Sequence, residues 1–131
     1  MDVAAADLAD AAGRPIAMDA RIRPVWHGAR AAGPAATVAV QARDNLGVRE
    51  LIEQAPPGAV LVVSGGGIVD CALLGGNLCR CALERELAGA VVDGAIRDVA
   101  EIEELRFPVF AAGVVPTRPN FTVVVNCWSL S

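Results

Sequence analysis

Arg97 and Asp98 stand side by side after an apolar run and a glycine-containing turn, and together they offer most of the chemistry this chain can perform. Arginine presents a planar fork of donors that can hold a carboxylate and a neighbouring carbonyl oxygen at once. Aspartate supplies a hard oxygen ligand for Mg²⁺ or Mn²⁺, ions that retain water in their remaining positions. In isolation the pair reads first as a helix-capping aspartate beside a solvated arginine. A second feature lies upstream, where Gly75-Gly76-Asn77-Leu78 opens a helical stretch. Backbone N–H groups and the positive end of a helix dipole collect at such a start, so a carboxylate placed there gains charge-assisted hydrogen bonds without any lysine. Gly76, twenty intervening residues, Arg97, Asp98, two more residues and Glu101 form one spaced pattern, G-x20-R-D-x2-E.

The residue types that are missing narrow the chemistry further. All 11 basic residues are arginines; there is no Lys and no Tyr, and the single His is His27. This excludes a Schiff-base lysine, a pyridoxal-phosphate lysine and a phosphate-loop lysine, and it excludes a multi-histidine metal site. His27 falls in a distant loop and is expected to be a surface or packing residue. Cys71, Cys79, Cys81 and Cys127 lack the paired spacing of a structural zinc site and are expected to be small core or helix-face residues without disulfides. Cys79 and Cys81 fall just inside the helix after Gly76, where a helix N-terminus can lower a thiol pKa, but neither has a partner base in sequence. A Gly65-Gly66-Gly67 run reads as a tight turn before it reads as an anion cradle.

The elements that must position these residues follow from the hydrophobic pattern. Val3 to Ala12 suits a short helix ending at Gly13, and Ala35 to Val40 a strand. Val48, Leu51, Ile52 and Ala55 fall at i, i+3, i+4 and i+7, with Asp44 or Asn45 as N-cap and Pro56-Pro57-Gly58 as the stop. Val60 to Val63 reads as a buried strand, Asn77 to Leu87 as a helix, and Ala88 to Val92 as another strand. Asp93-Gly94-Ala95-Ile96 reads as the loop after it, Asp98 to Leu105 as a helix, and Val109 to Ala111 as a strand started by Pro108. Strands alternating with helices predict an α/β fold with parallel strand pairs, in which ligands gather at the carboxyl ends of the strands.

Length and composition bound the rest. A chain of 131 residues makes one domain with enough core to fold. Its hydrophobic fraction of 54% is distributed in short runs, none approaching the roughly 20 residues of a membrane span. Scattered arginines in a chain of net charge -4 argue against a nucleic-acid surface. Asp2, Asp7 and Asp10 occupy the N-terminal stretch, which lacks the basic-then-apolar order of a secretory signal, so a cytoplasmic protein is expected.

The run ALLGGNLCRCALERELAGAVVDGAIRDVAEIEELRFPVFAAG, with IRPVWHGARAAGPAATV, RDNLGV and PGAVLVVSGGG upstream, resembles the RraA-like family. That family includes the 4-hydroxy-4-methyl-2-oxoglutarate (HMG) and 4-carboxy-4-hydroxy-2-oxoadipate (CHA) aldolases, and the likeness covers approximately Asp7 to Pro116. It implies a swivelling β/β/α domain, a central partly parallel sheet flanked by helices, over residues 1–116, with an atypical, shortened segment at 117–131. In that segment Phe121 to Val125 is a candidate replacement strand.

The resemblance also implies a function. A pyruvate unit would sit between the Gly75, Gly76, Asn77 and Leu78 amides and Arg97, with a divalent metal, Mg²⁺ or Mn²⁺, at Asp98 and with Glu101 in the outer shell through water. Arg97 and Asp98 would be catalytic, cleaving HMG-type 2-oxo acids to pyruvate and decarboxylating oxaloacetate. Charge left on the former carbonyl oxygen needs an electron sink, which a metal and Arg97 would provide in a chain without lysine. A metal-activated water is the expected base. The family pattern further implies a homotrimer acting on a small 2-oxo acid, while charge and hydropathy lead to the expectation of no nucleic acid or membrane partner. Many relatives carry an acidic residue where this chain has Gly76, a departure that touches water positioning. The alternative that the family offers is a non-catalytic inhibitor of ribonuclease E.

Overall fold

A computed structural model describes residues 3–41 and 43–119. The elements follow one another as α1 (Ala5–Ala12), β1 (Arg23–Pro24), β2 (Ala35–Ala39), α2 (Leu46–Gln54), β3 (Val60–Ser64), β4 (Ala72–Leu74), α3 (Gly76–Glu84), β5 (Gly89–Ile96), α4 (Val99–Leu105) and β6 (Val109–Val114). They build the expected α/β domain around one six-stranded sheet ordered β1-β6-β5-β3-β2, with β4 joined to β5 off that path. β1 pairs antiparallel to β6, and the other pairings are parallel, the connections β2-α2-β3 and β5-α4-β6 each passing through a helix.

Register decides which side chains meet the helices. Val38, Val63, Val92 and Ala111 lie in one cross-strand row, and Ala36, Leu61, Ala90 and Val109 in the next. These rows face the helices, whose inward residues Val48, Ile52, Leu78, Cys79, Ala82 and Ile102 complete a core centred on Phe107 and Leu61. The opposite face carries the row Thr37, Val62, Val91 and Phe110, which is at most half-buried among the described residues. Alternation with period two therefore sorts each strand into a dry side and an open side.

Helix boundaries follow local chemistry. α1 ends on Gly13 in the left-handed region (φ 65), the expected glycine stop, and is exposed along its length. α2 begins after Asn45, with the Asp44 carboxylate accepting from the Leu46 N–H at 2.9 Å, and ends before the two prolines. α3 stops at Glu84, short of the expected Leu87, because Glu86 takes a positive φ of 61 and the chain folds back so that Leu87 N–H donates to the Ala82 carbonyl.

One expectation changes in the middle of the sheet. Asp93 to Ile96 is strand and not loop: after a register shift β5 leaves β3, and Ala95 and Ile96 pair with Ala72 and Leu74 of β4. A glycine and an aspartate that look like turn residues are thus held extended by pairings on either side, Asp93 with Ser64 of β3 and Ala95-Ile96 with β6 and with β4, a strand too short to show its own period. β1, at two residues, escapes sequence reading for the same reason. No helix among the described residues is long and apolar enough to cross a membrane. The candidate strand at Phe121 to Val125 lies outside the described residues, as does most of the 117–131 segment.

Candidate active site

β5 brings Arg97 and Asp98 to the carboxyl end of the sheet. Where β5 parts from β3, the Asp93 carbonyl accepts from both Gly65 and Gly67 N–H groups, each at 3.1 Å. The glycine run is consumed by this wrap: a Cβ on Gly65 would stand 2.7 Å from that same carbonyl oxygen. β5 then continues along β4, and Arg97 N–H donates to the Leu74 carbonyl at 3.0 Å. The backbone before the pair is therefore fixed on both edges.

Asp98 turns the chain into α4 from the left-handed region (φ 63, ψ 42), one of the few non-glycine types that tolerates it. Its carbonyl accepts from Ile102 N–H at 2.9 Å, starting the helix, while its side chain turns away to the next loop. There Asp98 Oδ2 accepts from the Gly76 N–H at 2.9 Å and stands 3.9 Å from Arg97 Nε. One amide of the Gly75–Leu78 turn thus serves the aspartate, and the Cys79 N–H closes the first turn of α3 on the Gly75 carbonyl at 3.0 Å. Gly75 is small for a reason, since a Cβ there would lie 2.8 Å from Asp98 Oδ2 and 3.3 Å from Arg97 Cγ.

Glu101, in the first turn of α4, reaches the same glycine turn. Its carboxylate fills the space that a side chain on Gly76 would occupy, and its partner is Arg80 of α3. Gly75, Gly76, Arg97, Asp98 and Glu101 therefore converge, 20 residues of separation notwithstanding. Leu78 is buried beneath them and Asn77 is exposed at the helix start. His27 is exposed in the loop after β1 and has no place in this cluster.

An open cavity of about 230 Å³ adjoins the pair, lined by Arg97, Asp98, Val114, Val115 and Pro116. Arg97 Nη1 donates to the Pro116 carbonyl at 3.4 Å, and Val115 N–H is tied to the Ile96 carbonyl at 3.0 Å. A guanidinium and a carboxylate thus face an apolar wall supplied by the end of β6. The wall residues carry no chemical signature in sequence, and only the pairing of β5 with β6 brings them here. Arg80 was equally hidden, although its place one helical turn after Gly76 is the signal that could have found it.

The thiols do not extend this chemistry. Cys79 is fully buried under Asp98 and Glu101, and burial first, then the two carboxylates, pushes its pKa far up, so the helix N-terminus does not win. Cys71 is also raised, by burial and by Asp70 against the opposing effect of Arg43. Cys71 and Cys79 are free, whereas Cys81 is disulfide-bonded, contrary to the expectation of four reduced thiols.

The donor set suits one kind of metal. Among the described residues no three of His, Cys, Asp and Glu converge as a ligand cluster. What the site provides is one carboxylate that is 41% exposed, with one oxygen held by an amide, and a second carboxylate nearby. A hard ion that keeps most of its water fits such a set; zinc, which takes three or four protein ligands, does not.

Comparison with known proteins shows the family and the fold. The family model described as RraA-like, Aldolase/RraA, matches residues 5–128. A Burkholderia multivorans protein named, provisionally, as a 4-hydroxy-4-methyl-2-oxoglutarate aldolase is 43% identical over 126 residues, spanning 92% of this chain and 76% of that protein. Among solved structures, the RNA-processing inhibitor RraA from Thermus thermophilis aligns with a TM-score of 0.81 at 37% identity, over 91% of this chain and 72% of that one. A Geobacillus kaustophilus protein described as an S-adenosylmethionine:2-dimethylmenaquinone methyltransferase aligns with a TM-score of 0.79 at 38% identity, over 89% and 73%.

Proposed function

This chain belongs to the RraA-like family, and from that premise we propose that it is a divalent-metal-dependent carbon-carbon lyase, releasing pyruvate from HMG-type 2-oxo acids and decarboxylating oxaloacetate. The observation that carries the reading is that Arg97 and Asp98, which line an apolar-walled cavity, meet the Gly75-Gly76 turn through the Asp98 carboxylate. Asp98 would hold the Mg²⁺ or Mn²⁺ ion, with Glu101 in its outer shell. When bound, that ion supplies Lewis-acid stabilisation of the negative charge left on the 2-oxo oxygen by bond cleavage.

The chain's own residues account for the remaining demands. The Arg97 fork binds the substrate carboxylate and adds positive charge beside the oxygen where the enolate develops. The amides at the start of α3 share the carboxylate, orienting the bond to be broken. Val114, Val115 and Pro116 cover one side and keep bulk water from the enolate. Gly76 N–H holds Asp98 Oδ2 and so orients the carboxylate before the cation arrives.

In keeping with the family, the working form is a homotrimer with a cytoplasmic small-molecule substrate. A coupled assay for pyruvate from 4-hydroxy-4-methyl-2-oxoglutarate and from oxaloacetate, with Mg²⁺ or Mn²⁺ and with chelator, tests the activity. Turnover that chelator abolishes and Arg97→Ala reduces by about 100-fold or more is expected, since a charge donor at a developing oxyanion is worth that much. A folded, metal-supplied sample without turnover would overturn it. The likeness to the Thermus inhibitor supports a second reading, a protein inhibitor of ribonuclease E. Inhibition of that enzyme persisting in Arg97→Ala and Asp98→Ala would favour it.

A further inference from the structure

Arg80 takes no part in the chemistry above, yet its guanidinium reaches the site. α3 places it one turn after Gly76 and three residues after Asn77, on the face turned toward the start of α4. Nη1 donates to Asn77 Oδ1 at 3.3 Å, and Nη2 donates to Glu101 Oε1 in an ion pair. The same Glu101 carboxylate fills the space left by the missing side chain of Gly76, whose N–H is held by Asp98 Oδ2. Two carboxylates thus border one glycine, and each has an arginine of the protein's own beside it, Arg97 at Asp98 and Arg80 at Glu101.

We propose that Arg80 is a positioning residue that keeps Glu101 over Gly76 and weakens the hold of this carboxylate pair on a divalent cation. The inference rests on the metal reading of the site. A divalent ion beside Asp98 must share the charge of Glu101 with the guanidinium and lies within a Debye length of it, so the two cations repel. Arg80 and Glu101 remain 45% and 38% exposed, which screens their interaction and lets the guanidinium yield when the ion enters. The cation is accordingly held loosely and exchanges readily.

Mn²⁺ binding to the full chain, read from the free-ion electron paramagnetic resonance signal at low ionic strength, tests this directly. Arg80→Gln is expected to tighten binding by roughly two- to tenfold, the scale of a screened charge acting on a divalent ion, and the gain should shrink as salt is raised. Arg80→Lys, which keeps the charge, should stay close to wild type. In a Glu101→Gln background the Arg80→Gln gain should fall by at least half, because the carboxylate that it frees is gone. Arg80→Ala serves in place of Arg80→Gln if the latter melts early. Unchanged or weaker Mn²⁺ binding in the charge-removing variant, alongside binding that Asp98→Asn abolishes, overturns this inference and leaves the metal reading standing. No Mn²⁺ binding by wild type or any variant overturns both.

Discussion

Asp98 holds two roles in one residue: its backbone turns β5 into α4 through the left-handed region, and its side chain reaches the Gly76 amide. Asp98→Asn preserves both, since asparagine tolerates that region and its amide oxygen can accept the same hydrogen bond. The variant should therefore melt within about 1 kcal/mol of wild type while losing Mn²⁺ binding, measured side by side by thermal unfolding and metal titration. Beneath it, Cys79 makes stability depend on pH. Its folded pKa is raised above the ordinary thiol value of 9.0 by burial and by Asp98 and Glu101. The unfolded thiol loses its proton first, so its contribution is intact below about pH 9 and declines as pH rises further. Denaturant unfolding between pH 8 and 10.5 should show that decline, and Cys79→Ala should flatten part of it, the remainder belonging to Cys71. At this scale the sequence was informative about types and spacing: Arg97, Asp98, Gly76 and Glu101 could be picked out because each has a chemistry of its own. Arg80, Val114, Val115 and Pro116 could not, because their relevance comes only from what lies beside them in space.

Among the elements, two glycines that look alike in sequence answer to different constraints. A Cβ on Gly65 meets backbone, the Asp93 carbonyl at 2.7 Å, which cannot move without disturbing the departure of β5 from β3. One on Gly75 meets the end of the Asp98 side chain at 2.8 Å, which can swing away. Gly65→Ala is expected to cost about 1–3 kcal/mol of stability, whereas Gly75→Ala should melt nearly as wild type and weaken Mn²⁺ binding. Calorimetry and metal titration of the two variants separate the cases. Ile102, fully buried, anchors α4 and with it Glu101; Ile102→Ala should destabilise by about 2–5 kcal/mol in denaturant unfolding. Long amphipathic or apolar stretches such as α2 and β3 were legible because their period repeats several times. β1 and β4 were not, because two or three residues cannot display a period, and Asp93-Gly94 misled because pairing of Asp93 with β3 and of Ala95-Ile96 with β4 and β6 overrides turn chemistry.

For the whole molecule, the α/β class was legible from alternation of strands and helices, whereas the strand order was not, since parallel pairing depends on which edges meet late. That order has a consequence during synthesis. β3 leaves the ribosome with β2 and α2 already made, but its other edge has no neighbour until β5, which begins 25 residues after β3 ends. Throughout that interval Val60–Ser64 offers an open row of amides and carbonyls flanked by apolar side chains, the condition under which strands recruit foreign chains. Stalled nascent chains that expose residues only as far as Ala88 should bind chaperones and sediment on release, whereas chains released after Val114 should do so far less. The vulnerable moment of this protein is therefore set by the genetic distance between two strands that end up side by side, and codons that slow translation between Gly65 and Ala88 would prolong it.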